Sequence, residues 1–440
     1  MIFSPIPKIR VQMKKIIISL LCISGLALSL GTHAQTWYDA SEGGFHIFGQ
    51  GWPYLSQKKF QRLPVTERSR LNNGILWNAS QLSAGLYVRF RTDASSISVR
   101  FTLTKQAVQH YNMSSFGQSG VDLYARSDDG KTFHWLGNHL NYGFGTPATA
   151  NFRNIVPQNM EGNKVCEYTL YMPNFNGVSK LEVGVNEGAS FQFIEVPEDD
   201  EPIVVYGSSA VQGSSASRPG NSWTNMLGRE LDAQVVNLGF ADNAKLDEGI
   251  FRVMASLKPR VFIIDAMPDM KAVPQLIKER IVAGVKLLQA MTNRPVLLVE
   301  SPGAPDRLIR PAEDELHTRA NEQLREAYDQ LTQDGYTNLF YMSQEELGLN
   351  EEDFLDGINP TDLGMKHYAA AYVKKLAYIE ENKDPIIDAV EAVEYNFRTP
   401  ELSNSRTVYD LQGRKISIPS GQLPKGLYII NGKKTVITAQ

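Results

Sequence analysis

The chain has 440 residues, 42% of them hydrophobic and 21% charged, with 34 Gly and 22 Pro. That is enough for two or three domains with buried cores, and it excludes an intrinsically disordered or fibrous protein. With 44 basic against 48 acidic residues, a net charge of −4 and no dense basic patch, the composition offers nothing to a nucleic-acid partner.

Lys14 and Lys15 precede an apolar run from Ile16 to Leu30, and the small residue Ala34 follows. This layout predicts a signal peptide over residues 1–34, with an apolar run short of the roughly 20 residues of a membrane span. The expected destination is export, to the periplasm, the cell surface or the medium, with no membrane span. Cys22 falls in that segment, so Cys166 stands alone and no internal disulfide can form. Residues 35–200 then alternate as strands do, for example Leu86–Phe90, Ile97–Phe101, Cys166–Leu170 and Leu181–Val185. Turn signals such as Asp128-Asp129-Gly130 and Asn174-Phe175-Asn176-Gly177 separate them, so the expected fold is a β-sandwich without helices.

After Glu198-Asp199-Asp200-Glu201 the period changes. Continuous apolar strands at Ile203–Tyr206, Val235–Leu238, Val261–Ile264 and Val296–Val299 alternate with amphipathic stretches. The expected helices are Ser222–Leu231, Leu246–Ser256, Val273–Met291, Glu313–Thr332 and Asp362–Ile379. Residues 201–382 therefore predict an α/β domain with a buried parallel sheet, whose ligands sit at the carboxyl ends of its strands. A polar linker over 383–406 and a small β unit over 407–440 follow. Val408–Arg414 and Lys425–Ile429 resemble the C-terminal sorting module of the type IX secretion system, which would place the chain at the cell surface or beyond.

The strand at Ile203 runs into Gly207-Ser208-Ser209-Ala210, a small-residue loop that would expose Ser209. Around it stand Gly120-Val121-Asp122-Leu123-Tyr124, Ala216-Ser217-Arg218-Pro219-Gly220, Asn237-Leu238-Gly239-Phe240, Asp265-Ala266-Met267-Pro268 and Asp356–Gly364. In this order the motifs resemble the SGNH (GDSL) hydrolases, in particular the group with an N-terminal Gly-x-Asp-Leu-Tyr β-domain. The resemblance covers about residues 36–380. It implies a flavodoxin-like SGNH sheet domain and a secreted serine hydrolase of acyl esters, often on carbohydrates. Ser209 matches the family's nucleophile and Asp356 the acid that orients its base.

Three of the five functional positions depart. The base should be His and is Asn359, the Gly donor of the oxyanion hole is Asp242, and the Asn donor is Asp269. An amide cannot take the serine proton, and a positioned base is worth about 10²–10⁴-fold. One lost oxyanion donor costs about 10²–10³-fold, and an ionised Asp269 would repel the oxyanion. Asp242 still offers its backbone N–H. Of the histidines, His317 and His367 are helix-borne, where packing roles dominate, and His46, His110, His134 and His139 belong to the β-domain.

Asp242, Asp269 and Asp356 are expected to converge on one pocket with Ser209 and Asn359. Like charges so close cannot all ionise, so one acid should be protonated near neutral pH. A protonated and an ionised carboxyl side by side are the equipment of glycosidic cleavage. Three hard oxygen ligands could instead hold Ca²⁺. Gly207, Arg218, Gly239, Asn243 and Glu300 are the expected substrate-binding residues, with Arg218 and Glu300 equally suited to structural ion pairs. Trp37, Trp52, Tyr54, Trp77, Trp135 and Tyr142 could stack on sugar rings, although most aromatics of a sandwich pack its core. The expected partner is a glycan or glycoconjugate. The favoured function is cleavage of a glycosidic bond by the rebuilt aspartate site; a carbohydrate O-acyl esterase with a displaced base and a glycan-binding protein without activity are the alternatives.

Overall fold

Along Tyr87–Thr92 alternate side chains turn inward, and Val88 and Phe90 are wholly buried. Leu170 and Leu123 lie beside them in the same sheet, and Val99, Phe101 and Val183 of the facing sheet complete one apolar core. The computed structural model describes residues 34–386, apart from 57–59, 72–73, 107–109, 128–129, 131, 140, 158–165 and 291, together with 408–409, 426–430 and 433–437. The expected signal peptide up to residue 33, the Asp128-Asp129 turn and the linker from 387 to 406 lie outside these residues.

Two antiparallel sheets make the N-terminal sandwich. One runs in the order Gln35–Asp39, Val178–Asn186, Ile97–Leu103, Ala148–Phe152, Tyr142–Gly143. The other runs Phe191–Phe193, Tyr87–Thr92, Cys166–Tyr171, Asp122–Arg126, Phe133–Leu136, with Ile47–Phe48 paired to Tyr87–Thr92. The sandwich is not helix-free as expected. A 3₁₀ helix at Val65–Arg70 and α-helices at Gly74–Ser80 and Ser115–Ser119 interrupt it, the last capped by the Ser114 side chain on the Gly117 N–H. Each is too short for its periodicity to stand out from the alternation around it.

The second domain carries a five-stranded parallel sheet in the order Val235–Gly239, Ile203–Gly207, Val261–Asp265, Val296–Val299, Leu339–Met342. Its strands are buried throughout because helices cover both faces. Val204 and Tyr206 face Ile281, Val285, Ala320 and Leu324, whereas Ile203 and Val205 face Trp223, Leu227, Met365 and Tyr372. The expected helices are present with shifted ends, at Trp223–Leu231, Glu248–Met254, Ile277–Leu288, Pro311–Gln333 and Asp362–Asn382. The strand at Leu339–Met342 was not expected. The order 2-1-3-4-5 is flavodoxin-like and reverses beside Ile203–Gly207, so the crevice at that strand's carboxyl end is where a ligand belongs.

A fourth sheet joins Val408–Tyr409, Gly426–Ile430 and Lys433–Ile437 in antiparallel pairing. Among the described residues no helix is long and apolar enough to cross a membrane.

Candidate active site

In the sheet register Gly207 stands beside both Gly239 and Asp265, so the loops that leave these three strands rise together. Gly207 must lack a side chain because a Cβ there would overlap the Asp265 carbonyl oxygen. Ser209 opens the short helix Ser209–Gln212, which Gly213 ends with φ of 97°. Its Oγ donates to Asn359 Oδ1 at 2.7 Å. Asn359 Nδ2 in turn donates to Asp356 Oδ2 at 2.9 Å. Serine, amide and carboxylate thus form one continuous relay, with Asn359 buried between its partners.

The loop that carries Asp356 and Asn359 is pinched shut by a bridge from Phe354 to Pro360 and turns at Gly357, φ 80°. Asp356 Oδ1 accepts the backbone N–H of Asn359 at 2.7 Å and of Ile358 at 3.1 Å. Its Oδ2 also accepts Nδ2 of Asn112 at 2.9 Å, from the N-terminal domain. Burial works to raise this carboxyl, but the donors from Asn359, Asn112 and Ile358 outweigh it and hold it below the usual range. Sequence reasoning missed Asn112, which carries no motif and lies far away in the chain.

Asp269 sits across the strand ends on the helix Met267–Met270. Its Oδ2 accepts the Ala244 N–H at 2.9 Å, and Lys245 Nζ reaches its carbonyl oxygen at 2.5 Å. Burial pushes its carboxyl up to about 6 against the pull of Ala244 and Lys245, and the Asp242 carboxylate adds to the rise. Asp242 is exposed with φ of 61°, the left-handed turn that a glycine would take and that Asp tolerates better than most residues. No hydrogen bond within the described residues uses the N–H of Ser209 or of Asp242. Two backbone donors therefore remain for an oxyanion.

Of the three aspartates expected in one pocket, Asp242 acts electrostatically on the Asp269 carboxyl, and Asp356 is engaged by Asn359 and Asn112. Among the described residues no three His, Cys, Asp or Glu side chains are placed to hold a metal ion, so the Ca²⁺ donor set is not assembled. A further acid near the site is held high: burial pushes Asp265 up to about 7, opposed by the Tyr372 hydroxyl, which donates to its Oδ2 at 2.9 Å.

Residues expected to bind substrate also make contacts within the protein. Arg218 donates to Asp122 at 2.7 Å and to the Tyr124 hydroxyl at 2.5 Å, while Trp135 Nε1 donates to Asp122 at 2.6 Å. The Asp and Tyr of Gly-x-Asp-Leu-Tyr thereby grip the second domain. Glu300 accepts the Tyr341 hydroxyl at 2.5 Å and the Gln344 N–H at 2.6 Å. Asn243 turns back to the Ala241 carbonyl at 2.7 Å, and a Cβ on Gly239 would overlap the Gln212 backbone. Trp52 and Trp77 belong to the packed core between the domains. No described histidine bonds Ser209: His317 contacts Ser301 and Lys271, and His367 contacts Asp353 at 2.7 Å.

Residues 200–377 match the GDSL-like lipase/acylhydrolase family, and residues 35–191 match the N-terminus of SGNH-hydrolase-type esterases. A GDSL-like lipase candidate from Bacteroides ovatus is 26% identical over 80% of this chain and 99% of its own, with a TM-score of 0.69. A salicylyl-acyltransferase from a tetracycline biosynthetic pathway is 15% identical over 79% of this chain and 98% of its own, with a TM-score of 0.60, and shows the fold alone. A comparison with curated proteins finds no match. The relay at the strand ends, the gripping β-domain and these matches agree that the chain belongs to the SGNH/GDSL hydrolases with a GxDLY-type N-terminal domain.

Proposed function

We propose that this SGNH hydrolase is exported and turns over acyl esters carried by a glycan only slowly, because Ser209 is seated for attack but has no base to activate it. The observation that carries this reading is the 2.7 Å bond from Ser209 Oγ to Asn359 Oδ1, itself aligned on Asp356. Every position of the relay is filled, and the backbone donors for an oxyanion remain. What the relay lacks is proton acceptance, because the amide oxygen does not take up the serine proton at neutral pH. The glycan part of the reading follows from the family resemblance, and export from the leader.

Replacing the one missing function tests it. Asn359→His should raise kcat on an aryl acetate by roughly 10²–10⁴-fold, with labelling of Ser209 by a fluorophosphonate rising alongside. Wild type that already hydrolyses the ester as fast as the variant would overturn the reading.

A second reading, glycosidic cleavage, draws on Asp269, whose carboxyl at about 6 lies near the Asp242 carboxylate. Asp356 cannot serve as its nucleophile, since four N–H donors occupy its oxygens. Release of sugar from aryl glycosides that Asp269→Asn abolishes, with folding intact, would establish this reading over the first.

A further inference from the structure

A cleft of about 450 Å³ opens directly beside the relay, with Asp356, Gly357 and Ile358 forming one wall. Asp356 belongs to the relay and Ile358 precedes Asn359 in the chain, so the cleft adjoins the loop that carries the relay. Lys271, His317, Arg310 and Glu313 line the same cleft. Lys271 follows the Met267–Met270 helix and is half-buried.

Its Nζ lies 3.0 Å from His317 Nε2, and His317 Nδ1 lies 2.5 Å from the buried Ser301 Oγ. An ammonium only donates, so Nε2 must present its lone pair and Nδ1 must carry the hydrogen towards Ser301. Burial and the neighbouring Lys271 push His317 down to about 4, which keeps the ring neutral. His317 thus orients the ammonium without balancing its charge. Arg310 by contrast is matched by Asp306 and Glu313, each at 3.2 Å. Among the described residues no carboxylate lies within ion-pair distance of Lys271, and Glu313 and Asp269 act on it only from farther away.

A recessed ammonium with one neutral acceptor has two N–H groups to spare and a desolvation cost that an incoming anion would offset. The surrounding carboxylates limit what can enter. A phosphomonoester dianion would be repelled, whereas one carboxylate is matched by one lysine. We propose that Lys271, held by His317, receives the carboxylate of an acidic sugar in this cleft, next to the ester held at Ser209. The substrate is therefore a uronate-bearing glycan. This inference rests on the acyl-ester reading for its place beside Ser209.

The test is calorimetric binding of trigalacturonate and of neutral trigalactose to the full-length protein. Wild type should bind the acidic trisaccharide at least about tenfold more tightly, and less so as salt rises. Lys271→Met should erase that preference while leaving neutral binding in place, and Lys271→Arg should retain it. Equal binding of the two sugars, absence of binding at millimolar concentration, or a preference that survives Lys271→Met would each overturn the proposal. Binding is read without turnover. Failure of Asn359→His on a neutral aryl acetate therefore strikes the ester reading and leaves the anion site standing.

Discussion

Burial holds the Asp269 carboxyl at about 6, well above the value near 4 expected in an unfolded chain. The folded state therefore binds this proton more tightly than the unfolded state does. Stability is highest below the unfolded value and falls as pH rises from about 4 to about 6, where the fold must accept a buried charge. Asp269→Asn keeps an oxygen for the Ala244 N–H and removes that charge. The variant should be more stable than wild type at pH 7.5, by an amount on the order of 2 kcal/mol, and no more stable at pH 4. Melting curves at the two pH values decide it, and a gain that is the same at both would refute the assignment. The substitution of Asp for Asn at this position was legible in the sequence. Its protonation was not, because desolvation depends on packing that no motif records.

The helix Asp362–Asn382 begins at Thr361, whose hydroxyl accepts the Gly364 N–H, and lies directly on the segment that leads into the relay loop. Gly364 has no room for a methyl group, since a Cβ there would overlap the Asp353 carbonyl oxygen. Gly364→Ala should push that segment away, at a cost of about 1–3 kcal/mol. In an Asn359→His background it should also lower aryl acetate turnover, as thermal melts and kinetics on the double variant would show. Unchanged melting would mean that the helix can shift without moving the loop. The acid and the base position were readable in advance, because both stand in the motif Asp356–Gly364, whereas the cap at Thr361 and the crowding at Gly364 emerge only from the fold. The strand Leu339–Met342 was not, because four apolar residues between Asn338 and Ser343 fit a strand or a buried turn equally well.

The boundary near residue 200 is a change of sequence period more than a division of the molecule. Trp52, Leu63, Leu76 and Trp77 of the first domain pack with Ala244, Ile250 and Phe251 of the second in one core. Asp122, nearly inaccessible to solvent, is matched across this boundary by Arg218. Arg218→Ala would strand a buried carboxylate and should cost about 3–5 kcal/mol, read as a large drop in melting temperature. A drop of only a degree or two would show that Trp135 and the Gly220 N–H satisfy Asp122 by themselves. Fold class was legible from alternation and apolar runs, whereas this dependence of one domain on the other was not, since it rests on contacts between residues far apart in the chain. Asn112 makes that dependence chemical, for it reaches from the sandwich to the acid of the relay. A hydrolase domain parted from its own sandwich would lose one of the four donors that hold Asp356 ionised.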